Sequence, residues 1–335
     1  MDGALYFTVG GRGTQSALYR VVYRGDEDTT PAPAKRMKGE VEARALRAEL
    51  ESHHGHMSPE AVEAAWPHLA SEDRFLRFAA RIAIENQPVA TWRAKALAET
   101  RPQALVTAQV ALARQGSAGD LSSIAASLGR LDLATLPEPI VLGALRAYSL
   151  AFTRLGEPGA ALRTSILKVL EPLFPSNSNA VSAEVAALLV YLRSPVVVER
   201  AITVMGQDNP TELPPWADLI QRNDRYGSPI ARMLANMPPL QDIQYALTLR
   251  TATRGWTLPL REKYFQFFPR AAQHPGGNSY SGFLDNIRLD AMDLLSVEEE
   301  RSLADVLDLA LVAPIRIDVT PPKGPGREWT CLLYT

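Results

Sequence analysis

Between residues 40 and 209 apolar positions return every three or four residues, in short runs closed by proline or glycine. That spacing predicts a succession of amphipathic helices. The stretch "EVEARALRAELESHHGH" sets Val41, Leu46 and Leu50 on one side. "SPEAVEAAWPHL" offers Ser58 as N-cap, Pro59 at the first helical position and Trp66 toward the core. "SEDRFLRFAARIAIEN" gives a stripe of Phe75, Phe78, Ala79, Ile82 and Ala83, ended by Pro88. "RPQALVTAQVALARQG" starts with proline and ends with glycine, and "DLSSIAASLG" is a short capped helix. "PEPIVLGALRAYSLAFTRLG" carries Val141, Leu145, Tyr148, Phe152 and Leu155 as one face. Three more short units follow: "GAALRTSILKVLEPLF", "AVSAEVAALLVYLRS" and "PVVVERAITVMG". Alanine is frequent where facing helices would approach closely. Paired helices repeating every roughly 35–45 residues predict an all-α solenoid of the HEAT or armadillo kind.

The period changes at both ends of this stretch. Residues 1–25 alternate with period two, and "ALYFTV" and "ALYRVVY" read as the strands of one β-hairpin. Residues 26–39, "DEDTTPAPAKRMKG" among them, have no apolar period and form a linker. Residues 210–312 continue the helices with longer connections. They include the aromatic run "YFQFF" and a capping box from Ser296 to Glu299. Residues 313–335 are a Pro/Gly-rich extended segment.

Charge and cysteine content narrow the function. Across 335 residues, 35 Lys and Arg stand against 37 Asp and Glu, a net charge of −2. No global basic field is available for a nucleic acid or an anionic membrane surface. The single cysteine, Cys331, excludes an internal disulfide framework and a zinc site built on several thiolates. No apolar run reaches the ~18–20 residues that span a bilayer, so membrane insertion is not expected. The N-terminus shows no basic region followed by an apolar one, hence no signal peptide, and a free-standing chain would be cytoplasmic.

Candidate chemistry is sparse. "GRGTQS" approaches a dinucleotide fingerprint, but Ser16 replaces its third glycine and a strand follows where a helix is required. "HHGHM" clusters His53, His54 and His56, which would need a carboxylate to hold a metal. Its position between a helix end and Ser58 predicts a solvated loop instead. The Glu298–Glu300 run suits the first turn of a helix, and "YFQFF" reads as interhelical packing. The "GGNSYSGFLDNIR" turn is the best place for a ligand or enzyme site. Gly276 and Gly277 would turn backbone N–H groups toward an anion, with Asn286 and Arg288 nearby. The competing reading has the glycines making a tight turn while Phe283, Leu284 and Ile287 face the core. No catalytic or cofactor-binding residue is assigned, and an enzymatic role is not favoured.

As a whole the chain resembles the large exported PVC-type haem-binding CxxCH proteins, often described as membrane-bound dehydrogenases. These run from a β-propeller through a HEAT-like helical region to a C-terminal cytochrome c domain. "DGALYFTVGGRGTQSALYRVVY" is similar to their last propeller hairpin, and "WPHLASEDRFLRFAARIAIENQPVATW" to the first helical pair after it. "MPPLQDIQYALTLRTATRGWTLPLREKYFQFF", "PGGNSYSGFLDNIRLDAM" and "PKGPGREWT" resemble the part before the cytochrome. The most specific element comprises Gly276, Gly277, Ser279, Gly282, Phe283, Asn286 and Arg288, read as a structural signature. The resemblance implies that the chain is the helical middle of a longer protein, its hairpin a remnant of the propeller and its "CLLYT" end truncated. It implies haem c in the parent but no cofactor here, flanking propeller and cytochrome c domains as partners, and a periplasmic or otherwise exported location. The alternative expectation is a free-standing adaptor that binds other proteins.

Overall fold

A computed structural model describes residues 4–11, 14–27, 30, 38–207, 237–274 and 279–309. Among them are fifteen α-helices and two strands, so the chain is all-α apart from one small sheet. It divides into two compact units, residues 1–49 and 50–335.

In the first unit, β1 (Leu5–Gly11) pairs antiparallel with β2 (Thr14–Val21). Leu5 lies opposite Val21, Phe7 opposite Tyr19 and Val9 opposite Ala17. Side chains alternate along a strand, so these six share one entirely apolar face. The Phe7 and Tyr19 rings stack there at 5.1 Å. The other face carries Tyr6, whose hydroxyl accepts from Arg20 Nε at 2.9 Å. Helix α1 (Lys38–Glu51) crosses from this unit into the next.

The described residues of the second unit form helices and their connections. It begins with α2 (Ala61–Ala65), a 3₁₀ turn over Trp66–Ala70, α3 (Arg74–Glu85), α4 (Val89–Ala98) and α5 (Pro102–Gln115). Then come α6 (Leu121–Leu128), α7 (Glu138–Leu155), α8 (Ala160–Leu170), α9 (Asn179–Tyr191) and α10 (Val197–Met205). Past residues 208–236, α11 (Leu240–Leu249), α12 (Leu258–Ala271), α13 (Tyr280–Met292), α14 (Val297–Ser302) and α15 (Ala304–Leu307) complete it. Helix packing follows chain order. Among odd-numbered helices, α3 packs on α5, α5 on α7, α7 on α9, α9 on α11 and α11 on α13. Even-numbered helices pack on their sequence neighbours: α4 on α5, α6 on both α5 and α7, α8 on α9, α10 on both α9 and α11.

The helix boundaries follow from local chemistry. Asp73 Oδ1 accepts from Phe75 N at 2.7 Å, capping α3, and Ser178 caps α9 through Val181 N. Ser296 and Glu299 close a reciprocal capping box on α14. Gly116, Gly129 and Gly206 close α5, α6 and α10. The face of α7 carrying Val141, Leu145, Tyr148, Phe152 and Leu155 is buried as the spacing predicts.

Local expectations fail at Ser58 and along α3. Ser58 does not cap α2, which starts at Ala61 without a side-chain cap. Its hydroxyl is 2.9 Å from His53 Nδ1 and its N–H donates to Gln87 Oε1 at 2.8 Å, so tertiary partners have claimed it. On α3 the buried stripe is Leu76, Ala79, Ala80, Ala83 and Ile84, while Phe75 and Phe78 are 52% and 56% exposed. Arg74, Arg77, Arg81 and Glu85 share one side of this helix, and the apolar arc opposite is wide, so period alone does not fix which part of that arc meets the core. Alanines on the core side permit close approach to the 66–70 turn and α5. The outward rings lie under Arg74 and Arg81 at 4.8 and 5.2 Å.

Candidate functional site

Four of the signature residues lie on α13, beside Ser279, which precedes it. Gly276 and Gly277 lie outside the described residues. Ser279 makes no side-chain cap to α13. Gly282 is exposed, and a β-carbon there would meet no atom within 4 Å. Asn286 is exposed too, and so is Phe283, at 42%, rather than facing the core. Leu284 and Ile287 do face the core. The helix turns in Leu284, Ile287 and Ala291, and the arc opposite reaches solvent.

Arg288 is turned toward the chain itself. Its Nη1 donates to the carbonyls of Leu307 at 3.0 Å and Leu309 at 3.5 Å, and Nη2 lies 3.5 Å from Asp285. A guanidinium on the last carbonyls of a helix complements the negative end of its dipole. The arrangement pins the 307–309 segment to α13. Tyr280 reaches the other way, donating from its hydroxyl to the carbonyl of Ala271 at 2.8 Å, and burial pushes its pKa up to about 12. The side chains that bond here are spent on holding α12, α13 and α15 together.

The three loop histidines diverge. His53 faces Ser58, His54 Nε2 is 2.8 Å from the Ala79 carbonyl oxygen, and His56 Nδ1 is 3.1 Å from the His54 carbonyl oxygen. Gly55 N donates to Asn86 Oδ1 at 3.0 Å, and Gln87 Nε2 donates to the His56 carbonyl at 3.2 Å. Residues 53–58 are thus fastened along the end of α3, with each ring aimed at a different partner. Among the described residues no group of three His, Cys, Asp or Glu is placed to hold a metal ion. Cys331 lies outside the described residues.

Buried charges serve the helix contacts. Glu85 on α3 accepts from Arg81 one turn earlier and from Arg114 Nε of α5 at 2.9 Å. Arg154 of α7 then donates to the Arg114 carbonyl at 2.9 Å, linking three helices in sequence. Glu99 accepts from Trp66 Nε1 at 2.9 Å and from Arg101 Nη2 at 2.8 Å. The Arg101 guanidinium, aided by backbone and indole donors, holds its carboxyl down at about 2. Arg261 of α12 is stacked 4.4 Å over Trp256 and lies 3.5 Å from Glu299. Burial lowers its pKa and Glu299 opposes that effect. Burial likewise raises the phenols of Tyr148 and Tyr264.

A concave surface lies over α9. A cavity of about 590 Å³ is bordered by Leu142 and Arg146 of α7, Ala183 and Glu184 of α9, and Leu240 and Gln244 of α11. A second, of about 460 Å³, continues along α9 past Ala187 and Tyr191 to Arg193 and Arg250. The sequence reading missed this groove. Its signal is the recurrence of small residues at 180, 183 and 187 on the side of α9 away from its buried stripe.

No family model matches the chain, and no curated protein or solved structure matches it at a significant level. Among the described residues, no helix is long and apolar enough to cross a membrane.

Proposed function

We propose that the chain is a non-catalytic helical-repeat scaffold of the HEAT type, whose work is to hold flanking domains apart or dock them. One observation carries this reading: the odd-numbered helices pack in chain order, each on the next odd one from α3 to α13, and the helices between them lie against one or both neighbours. Stacks of this kind are stabilised by neighbour interfaces and suit spacing and docking roles. The charged side chains described above also go to helix-to-helix contacts.

With the family resemblance, the reading extends to a parent protein of the exported haem-containing, dehydrogenase-like class. There the scaffold would sit between a β-propeller and a cytochrome c domain, with haem c held by the latter. The hairpin's wholly apolar face supports a neighbour of β-structure, since two strands alone are marginal in water. Sequencing the transcript through both ends of this reading frame tests the extension. In-frame propeller blades upstream and a C-x-x-C-H downstream are expected. Stop codons bounding both ends would overturn it. The groove over α9 favours a second reading, a free-standing adaptor that binds another protein, which such stop codons would promote.

A further inference from the structure

We draw no further inference here: the strongest candidate, the groove over Ala180, Ala183 and Ala187 of α9 between α7 and α11, is a row of small residues whose bordering charges are of both signs, and nothing in the structure shows what covers it.

Discussion

Among the buried residues of α5 and α7 small side chains are frequent, whereas α12 presents a block of aromatic rings. Ala104, Ala108, Ala111, Ala144, Ala147 and Ala151 are all buried, and Gly143 lets Val106 approach so closely that a β-carbon would sit 2.8 Å from its Cγ1. On α12, Phe268 lies 5.3 Å from Tyr264 and 5.5 Å from Phe267, ring centre to ring centre. Trp256 packs edge-on against Tyr264, and the Tyr264 hydroxyl donates to the Ala246 carbonyl of α11 at 2.8 Å. The first region gains from close backbone approach and many small contacts, the second from large side chains that fill wider gaps. Helices can therefore stack in sequence without sharing a repeat motif.

The contrast predicts unequal responses to substitution. The largest belongs to the aromatic block. Phe268→Ala should cost about 3–5 kcal/mol in denaturant unfolding, because the surrounding rings cannot collapse into the space. An effect below about 1 kcal/mol would mean that the rings are loosely held.

Acid should act on the small-residue side. The carboxyl of Glu99 has its pKa depressed in the fold, so its contribution is present above the ordinary carboxylate range and is lost as pH falls from about 4.5 to about 2. Over that window wild type should lose about 3 kcal/mol that Glu99→Gln does not lose. Parallel acid unfolding curves for the two proteins would remove the Arg101–Glu99 clamp from the account.

Arg288 comes next. If it fastens the 307–309 segment, Arg288→Ala should lower stability by about 1–3 kcal/mol, the cost of losing hydrogen bonds to a charged group. An unchanged melting temperature would reopen the anion-site reading of the 276–288 turn.

The smallest effects set two helical glycines against each other. Gly143→Val should destabilise by about 1–3 kcal/mol through overpacking, and Val106→Ala should relieve part of it. Gly282→Ala, in open space, should stabilise by about 0.5–1 kcal/mol. Equal responses at the two sites would show that the close approach of α5 and α7 does not depend on the missing side chain at 143.

These elements differ in how far the sequence revealed them. The termini of α5, α6 and α14 were legible because Pro102, Gly129 and the Ser296–Glu299 box act within a few residues. The buried face of α7 was legible from period, since Val141, Leu145, Tyr148, Phe152 and Leu155 all fall on it. α3 was misjudged because Phe75 and Phe78 outweigh three alanines in hydrophobicity, while close packing prefers the alanines. Ser58 looked like a cap, but residues 53 and 87 compete for it, and neither is visible in a local window. The groove over α9 depends on the spacing of three helices and so cannot be read from any one of them. Arg288 stood out in the sequence beside the 276–277 glycines, yet its partners at 307 and 309 were not foreseeable.

The central claim is that neighbour interfaces, taken in order, hold the helical unit together. Native-state hydrogen exchange on wild type and Phe268→Ala tests it most directly. The account predicts that amides of α11–α13 lose protection in the variant while those of α3–α7 keep theirs, because the damage stays with its neighbours. A uniform loss of protection from α3 to α13 would contradict it and describe one cooperative globule instead.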